Sequence, residues 1–193
     1  NPNAELIKWG FYEEKDKNLV TNCGKEKTDN LKLKKFEYPI FNNCLPHIDI
    51  FMDNGYTREE TKMINETRKI LNKDNLPITA TCVRVPVFNS HSESINVEFE
   101  NDFEIDDVKK TLKKANGIIV VDNITNSDSK DLMYPISTFA TGSDNVYVGR
   151  IRRDYSVKSG LNIWVVADNI RKGAASNAVQ ILELLLKKAG SIC

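Results

Sequence analysis

The chain has no apolar run approaching the roughly 20 residues a helix needs to cross a bilayer. Its opening, Asn1-Pro2-Asn3-Ala4-Glu5, has neither the basic nor the apolar region of a secretory signal. Both absences favour a soluble, cytoplasmic protein and no membrane partner. Net charge is lacking too: 27 Lys and Arg residues balance 27 Asp and Glu residues. No overall field therefore attracts nucleic acid or an anionic surface, and any anion site has to be local. The four cysteines, Cys23, Cys44, Cys82 and Cys193, are irregularly spaced without a C-x-x-C pair. That pattern suggests neither a metal site nor a disulfide framework, and free thiols are expected. No G-x-G-x-x-G, P-loop or internal repeat occurs, so nothing in the chain reads as a dinucleotide-binding entry.

What is present suits one globular core, with 193 residues of which 40% are hydrophobic. Residues 1–38 read as a polar, lysine-rich lead-in, a helix around Leu6, Ile7, Trp9, Phe11 and Tyr12 followed by a loop. Thr57-Arg58-Glu59-Glu60 is a capping box, and Met63, Ile64, Ile70 and Leu71 follow at helical spacing, which predicts a helix over 58–72. Two β-branched stretches, 78–88 and 95–99, read as paired strands separated by the turn Asn89-Ser90-His91-Ser92. A surface helix over 106–115 is expected, with Val108, Leu112 and Ala115 inward, then strands over 118–121, 145–152 and 161–167. The chain closes on a helix carrying Val179, Ile181, Leu182, Leu184, Leu185 and Leu186, an apolar stripe in want of a partner surface. The order predicts an α+β domain with a mostly antiparallel sheet and helices on one face.

Several groups could carry chemistry. Arg84 and His91 would approach each other if 78–88 and 95–99 form a hairpin. Arginine presents a planar fork to a carboxylate, and histidine moves protons near neutrality. Taken alone, such a pair is more often a surface arginine beside a polar turn histidine. Glu59 and Lys62, three apart on one helix, share a face where they could bind an amine and an anion, although an exposed Glu-Lys pair at this spacing is commonplace. Asp168-Asn169 and Arg171-Lys172-Gly173-Ala174-Ala175 sit at a strand-to-helix junction, as readily a cap as a ligand site. His47 in Pro46-His47-Ile48-Asp49 reads as a packed histidine, and Cys82 as a buried thiol.

Together these words form a larger pattern. Pro39-Ile40-Phe41-Asn42, Leu45-Pro46-His47-Ile48-Asp49 and Gly55-Tyr56-Thr57-Arg58-Glu59-Glu60-Thr61-Lys62 resemble, in order and spacing, segments of bacterial aspartate-semialdehyde dehydrogenases. So do Thr79-Ala80-Thr81-Cys82-Val83-Arg84-Val85-Pro86-Val87 with His91-Ser92-Glu93-Ser94, and Val148-Gly149-Arg150-Ile151-Arg152-Arg153-Asp154. The run from Gly160-Leu161-Asn162-Ile163-Trp164 to Lys172-Gly173-Ala174-Ala175 completes the set. The similarity extends from about Pro39 to Leu186.

The resemblance implies the C-terminal half of such an enzyme, a fold like the C-terminal domain of the glyceraldehyde-3-phosphate dehydrogenase-like family. Residues 39–172 would be the substrate and dimerisation domain, and 173–193 a helix that packs on an NADP-binding domain. It implies phosphate- and NADP-dependent interconversion of aspartate semialdehyde and aspartyl phosphate through a cysteine thioester, in a homodimer with no nucleic-acid partner. By motif position His91 resembles the general base, Arg84 the clamp on the substrate carboxylate, and Glu59 the acid that receives the substrate amine. Lys62 resembles the phosphate-binding lysine, and Asn169 a position that approaches the nicotinamide end of NADP.

The departures carry expectations of their own. The family's Asn-Cys-Ser/Thr nucleophile motif and its Gln-Ala-x-Ser-Gly motif are both missing, while Ala4-Glu5-Leu6-Ile7 resembles the helix that follows the second. The chain alone is therefore expected to lack a nucleophile and turnover, and to self-associate through its uncovered last helix. The rival readings are a non-catalytic dimerisation or regulatory module derived from that enzyme, and a ferredoxin-like RNA binder. The second is disfavoured by strands without paired exposed aromatics.

Overall fold

The computed structural model describes Tyr38, Ile40 and residues 43–124 and 132–190. The lead-in expected over 1–38 lies outside these, Tyr38 apart. Two compact units divide the chain, Asn1–Pro86 and Val87–Cys193.

The first unit is organised around helix α1, Arg58–Leu71. Its start follows the capping box: the Thr57 hydroxyl accepts from the Glu60 amide at 3.3 Å, and Glu60 Oε2 accepts from the Thr57 amide at 2.8 Å. Glu59 and Glu60 stand at the positive end of the helix dipole and Arg68 and Lys69 at the negative end. The helix stops at Asn72, whose φ of 52° is the left-handed conformation in which asparagine commonly ends a helix. From Ile78 to Val85 less exposed residues alternate with exposed ones, followed by bends at Pro86 and Phe88; the segment forms no ladder among the described residues, only an isolated antiparallel bridge between Leu45 and Arg84. Pro77 and Pro86 bring no amide hydrogen to a ladder, and Val83, Val85 and Val87 are left exposed. The hairpin expected between 78–88 and 95–99 is therefore not formed.

The second unit holds a four-stranded mixed sheet. Its strands are β1 (His91–Glu98), β2 (Ile118–Val120), β3 (Val146–Asp154) and β4 (Gly160–Ala167), in the order β1-β4-β3-β2. β4 pairs antiparallel with β1 and β3, while β2 joins β3 in parallel. Helix α2, Ile105–Lys114, lies between β1 and β2 in sequence. Its Val108 and Leu112 join Phe103 and Ile105 over Val148, Ile151 and Leu161, the larger buried cluster. Ala115, expected inward, is instead the exposed C-cap. Tyr147 and Val166 point to the opposite face by strand alternation. They bury against Ala140 of the one-turn helix α3, Ser137–Ala140. The mixed, mostly antiparallel sheet and the α+β class agree with expectation. Helix α4, Ala175–Lys188, leaves Val179, Ile181, Leu182, Leu184 and Leu185 between 51% and 59% exposed.

Candidate functional site

Candidate groups occur in both units. In the first, Glu59 and Lys62 occupy adjacent turns of α1 and are already paired, Lys62 Nζ donating to Glu59 Oε2 at 2.9 Å. The Glu59 carboxylate, by hydrogen bond and by charge, raises the Lys62 ammonium above the ordinary lysine value. Both are accessible, Lys62 more so than Glu59. Arg84 is half-buried, and its backbone is held by two bonds to Leu45: Arg84 N donates to Leu45 O at 2.8 Å, and Leu45 N donates to Arg84 O at 2.9 Å.

What joins this strip to the helix is a residue the sequence offered only as a cap. Glu60 is 6% exposed, and its second oxygen, Oε1, accepts from the Cys82 amide at 2.8 Å. Hydrogen bonds from the Thr57 and Cys82 amides hold its carboxyl below the usual glutamate range, against the opposing effect of burial. Cys82 is buried with its Sγ 3.3 Å from Met63 Sδ, as expected of an inert thiol. His47 stacks on Phe51 with ring centroids 4.3 Å apart, the packed histidine expected. A concavity of about 300 Å³ opens beside Tyr56, Glu60, Thr79 and Thr81. Glu59, Lys62 and Arg84 do not line it, so the concavity and the charged groups are separate features.

In the second unit His91 is the first residue of β1 rather than part of a turn, and it is exposed. The strand begins there because Ser90, at φ 75°, takes the left-handed conformation and breaks the extended run. Ser90 Oγ donates to Ser137 O and lies 3.2 Å from Thr141 Oγ1, and Ser92 Oγ lies 3.1 Å from Ser137 Oγ. Serines on both sides of His91 are thus tied to α3. His91 stands opposite Ala167 in the β1-β4 register, so Asn169, two residues further on, lies at the same end of the sheet. The turn bearing Asn169 is fixed by buried Asp168. Its Oδ2 accepts from Gly142 N at 2.8 Å, its Oδ1 from Ile170 N at 3.0 Å, and its carbonyl from Lys172 N at 2.8 Å. The Gly142 amide, above all, keeps the Asp168 carboxyl below the usual aspartate range. The Asn169 side chain is half-buried and makes no hydrogen bond to other described residues.

The structure thus brings Glu59 and Lys62 together in one unit, with the backbone next to Arg84 tied to their helix through Glu60, and places His91 and Asn169 at the same end of the sheet in the other. Cys44 is an exposed free thiol. Among the described residues no cluster of three His, Cys, Asp or Glu side chains could hold a metal. No helix among them is long and apolar enough to cross a membrane.

Known proteins resemble this chain in sequence and fold. Residues 13–172 match the family described as semialdehyde dehydrogenase, dimerisation domain. An aspartate-semialdehyde dehydrogenase of Aquifex aeolicus is 53% identical over 157 residues, covering 81% of this chain and 45% of the relative. The crystal structure of aspartate semialdehyde dehydrogenase II from Vibrio cholerae complexed with ASA superposes with a TM-score of 0.71 at 48% identity, over 79% of this chain and 43% of that one. That of the Candida albicans enzyme with NADP gives 0.57 at 26% identity, over 79% and 46%. The chain spans less than half the length of the relatives it matches.

Proposed function

Because this chain belongs to the semialdehyde dehydrogenase family, over its dimerisation domain, we propose that it is the substrate-binding and dimer-forming part of an aspartate-semialdehyde dehydrogenase. The reaction is the phosphate- and NADP-dependent interconversion of aspartate semialdehyde and aspartyl phosphate, a step of aspartate-family amino-acid biosynthesis. One observation carries this reading: a guanidinium, a carboxylate and an ammonium are mounted on two pieces of backbone that a buried hydrogen bond joins. An amino acid presents a carboxylate and an ammonium, and a co-substrate phosphate adds a second anion.

Arg84 grips the substrate carboxylate with two parallel N–H donors. Glu59 receives the α-ammonium. To do so it exchanges its present bond to Lys62 for one to substrate, and Lys62 is released to bind phosphate. The pair thus neutralises itself when empty and separates into two opposite subsites when filled. His91, exposed at the head of β1, takes the proton of the attacking thiol and later of the attacking phosphate. None of the four cysteines is assigned as that nucleophile.

Asn169 fits a nicotinamide partner chemically, since its amide is half-buried, uncommitted among the described residues and at His91's end of the sheet. It would donate to and accept from the cofactor's carboxamide. NADP supplies the hydride acceptor when bound. The exposed stripe of α4 packs on the cofactor-binding portion of the enzyme, and the homodimer forms through this domain. The free, exposed thiol of Cys44 suits a reducing, cytoplasmic setting.

The direct test is an NMR titration of this chain with L-2-aminobutyrate, which has the substrate's amine and carboxylate without its aldehyde, and separately with inorganic phosphate. Aminobutyrate is expected to shift resonances of Glu59 and Arg84, and Arg84→Ala to abolish that binding while sparing phosphate. Lys62→Ala is expected to do the reverse. Absence of both interactions at tens of millimolar ligand would overturn the assignment.

A further inference from the structure

Resting on that reading, we propose that Glu60 is a positioning residue: by joining the first turn of α1 to the Cys82 amide, it sets the Arg84 guanidinium at a fixed reach from Glu59 and Lys62. The geometry is specific. Glu60 is 6% exposed, and a carboxylate so buried is tolerated only when its oxygens are satisfied. Oε2 takes the Thr57 amide and Oε1 the Cys82 amide, both at 2.8 Å. Thr57 N belongs to the helix cap, so only the bond to Cys82 reaches another element. Buried Cys82 and half-buried Arg84 alternate with exposed Thr81, Val83 and Val85, the pattern of side chains two apart on the same side of an extended strip. The strip is held at both of these residues: Cys82 by Glu60, and Arg84 by its paired backbone bonds to Leu45.

A cap alone does not require this carboxylate. Glutamine serves at the same place in a capping box, because one side-chain oxygen suffices for the Thr57 amide. Here each amide has its own oxygen, and glutamine would set an NH2 donor in place of one of them against an amide N–H. The acid at position 60 is therefore matched to the bridge. Without it, the Cys82 Sγ–Met63 Sδ contact is left to hold the strip to the helix, the carboxylate clamp is less firmly set against the other two charged groups, and binding bears more of the cost of ordering them.

The test uses the full 193-residue chain and the L-2-aminobutyrate titration, with hydrogen exchange at the Cys82 amide and thermal midpoints measured alongside. Glu60→Gln keeps one acceptor for the cap and gives up the bridge. It is expected to speed exchange at Cys82 and weaken aminobutyrate binding by up to about tenfold, the scale of ordering one long charged side chain on binding. Thr57→Ala is the control: it removes the cap hydroxyl and lowers the midpoint but leaves the bridge, so binding is expected at the wild-type level. Should Glu60→Gln fail to fold, Glu60→Asp retains the charge and is one carbon too short to span both amides, with the same weakening expected. Wild-type affinity in the bridge variant, or equal weakening in both variants, would overturn the positioning role alone. No binding by the wild-type chain would overturn the underlying functional reading and the role with it.

Discussion

Gly149 on β3 is where a single added carbon should do most harm. An alanine Cβ there would lie 2.1 Å from the Val121 carbonyl oxygen and 2.5 Å from Pro135 Cδ. Ordinary contacts start near 3.5 Å, so the neighbours must retreat by about 1 Å or more. Neither can do so freely. Val121 N donates to Val148 O at 2.8 Å and extends the pairing of β2 with β3, and Pro135 O accepts from Trp164 Nε1 at 3.0 Å. Overpacking of this kind costs roughly 1–3 kcal/mol, and each displaced hydrogen bond roughly 1 kcal/mol. Replacing glycine stiffens the unfolded chain and returns about 0.4–1 kcal/mol. The net loss for Gly149→Ala is about 2–4 kcal/mol, which at roughly 2–4 °C per kcal/mol for a chain of this size lowers Tm by about 5–15 °C. Circular dichroism melts of the two proteins, with hydrogen exchange at the Val121 amide as the local probe, measure it. A Tm within about 2 °C of wild type, with Val121 equally protected, would refute the steric argument.

Other expectations follow from the same contacts. Thr57→Ala removes the cap of α1 and should cost about 1 kcal/mol in urea denaturation; no loss would mean that the box does not stabilise the helix. The Asp122 side chain is 3% exposed and ion-paired with Lys109 at 2.7 Å, so Lys109→Met leaves a buried carboxylate without its counter-charge. A loss of about 1–3 kcal/mol is expected, with a fully stable variant as the contrary result. Glu60 titrates below its ordinary value when folded, so its contribution is present above the unfolded glutamate value and fades as pH falls through the folded one. The stability gap between wild type and Glu60→Gln should therefore narrow on acidification from near neutrality to below pH ~4, whereas a gap that widens would reverse the sign. Leu182→Lys with Leu185→Lys breaks the exposed stripe of α4 and should lower the sedimentation coefficient of a self-associated chain; unchanged association would direct attention to another surface.

The elements legible from sequence were those whose signals are local. The capping box at Thr57-Glu60 and the helical spacing of Met63, Ile64 and Ile70 located α1. The apolar runs located β3 and β4, which the sheet buries most deeply. β1 was read too short because its first half, His91-Ser92-Glu93-Ser94, is polar. It is an edge strand with both of those faces in solvent, and only the ladder to β4 makes it a strand. The segment 78–88 misled in the opposite direction, since β-branched residues signal a strand but prolines and the lack of a partner prevent a ladder.

Among candidate residues, the Glu59-Lys62 pairing followed from helical spacing. The placing of His91 and Asn169 at one end of the sheet depends on a register between residues some 76 apart in sequence, His91 to Ala167, which no local pattern encodes. Glu60 was visible as a cap and invisible as a bridge for the same reason, because its second partner lies 22 residues away.

The most direct measurement of function joins this chain in frame to the part of the Aquifex aeolicus relative that precedes the region it matches and follows NADP reduction with aspartate semialdehyde and phosphate. A folded, NADP-binding fusion should turn over, lose that activity on His91→Ala, and require a raised aldehyde concentration on Arg84→Lys. A folded, NADP-binding fusion with no phosphate-dependent turnover, or one indifferent to His91→Ala, would contradict the assignment of this chain as the substrate half of the enzyme.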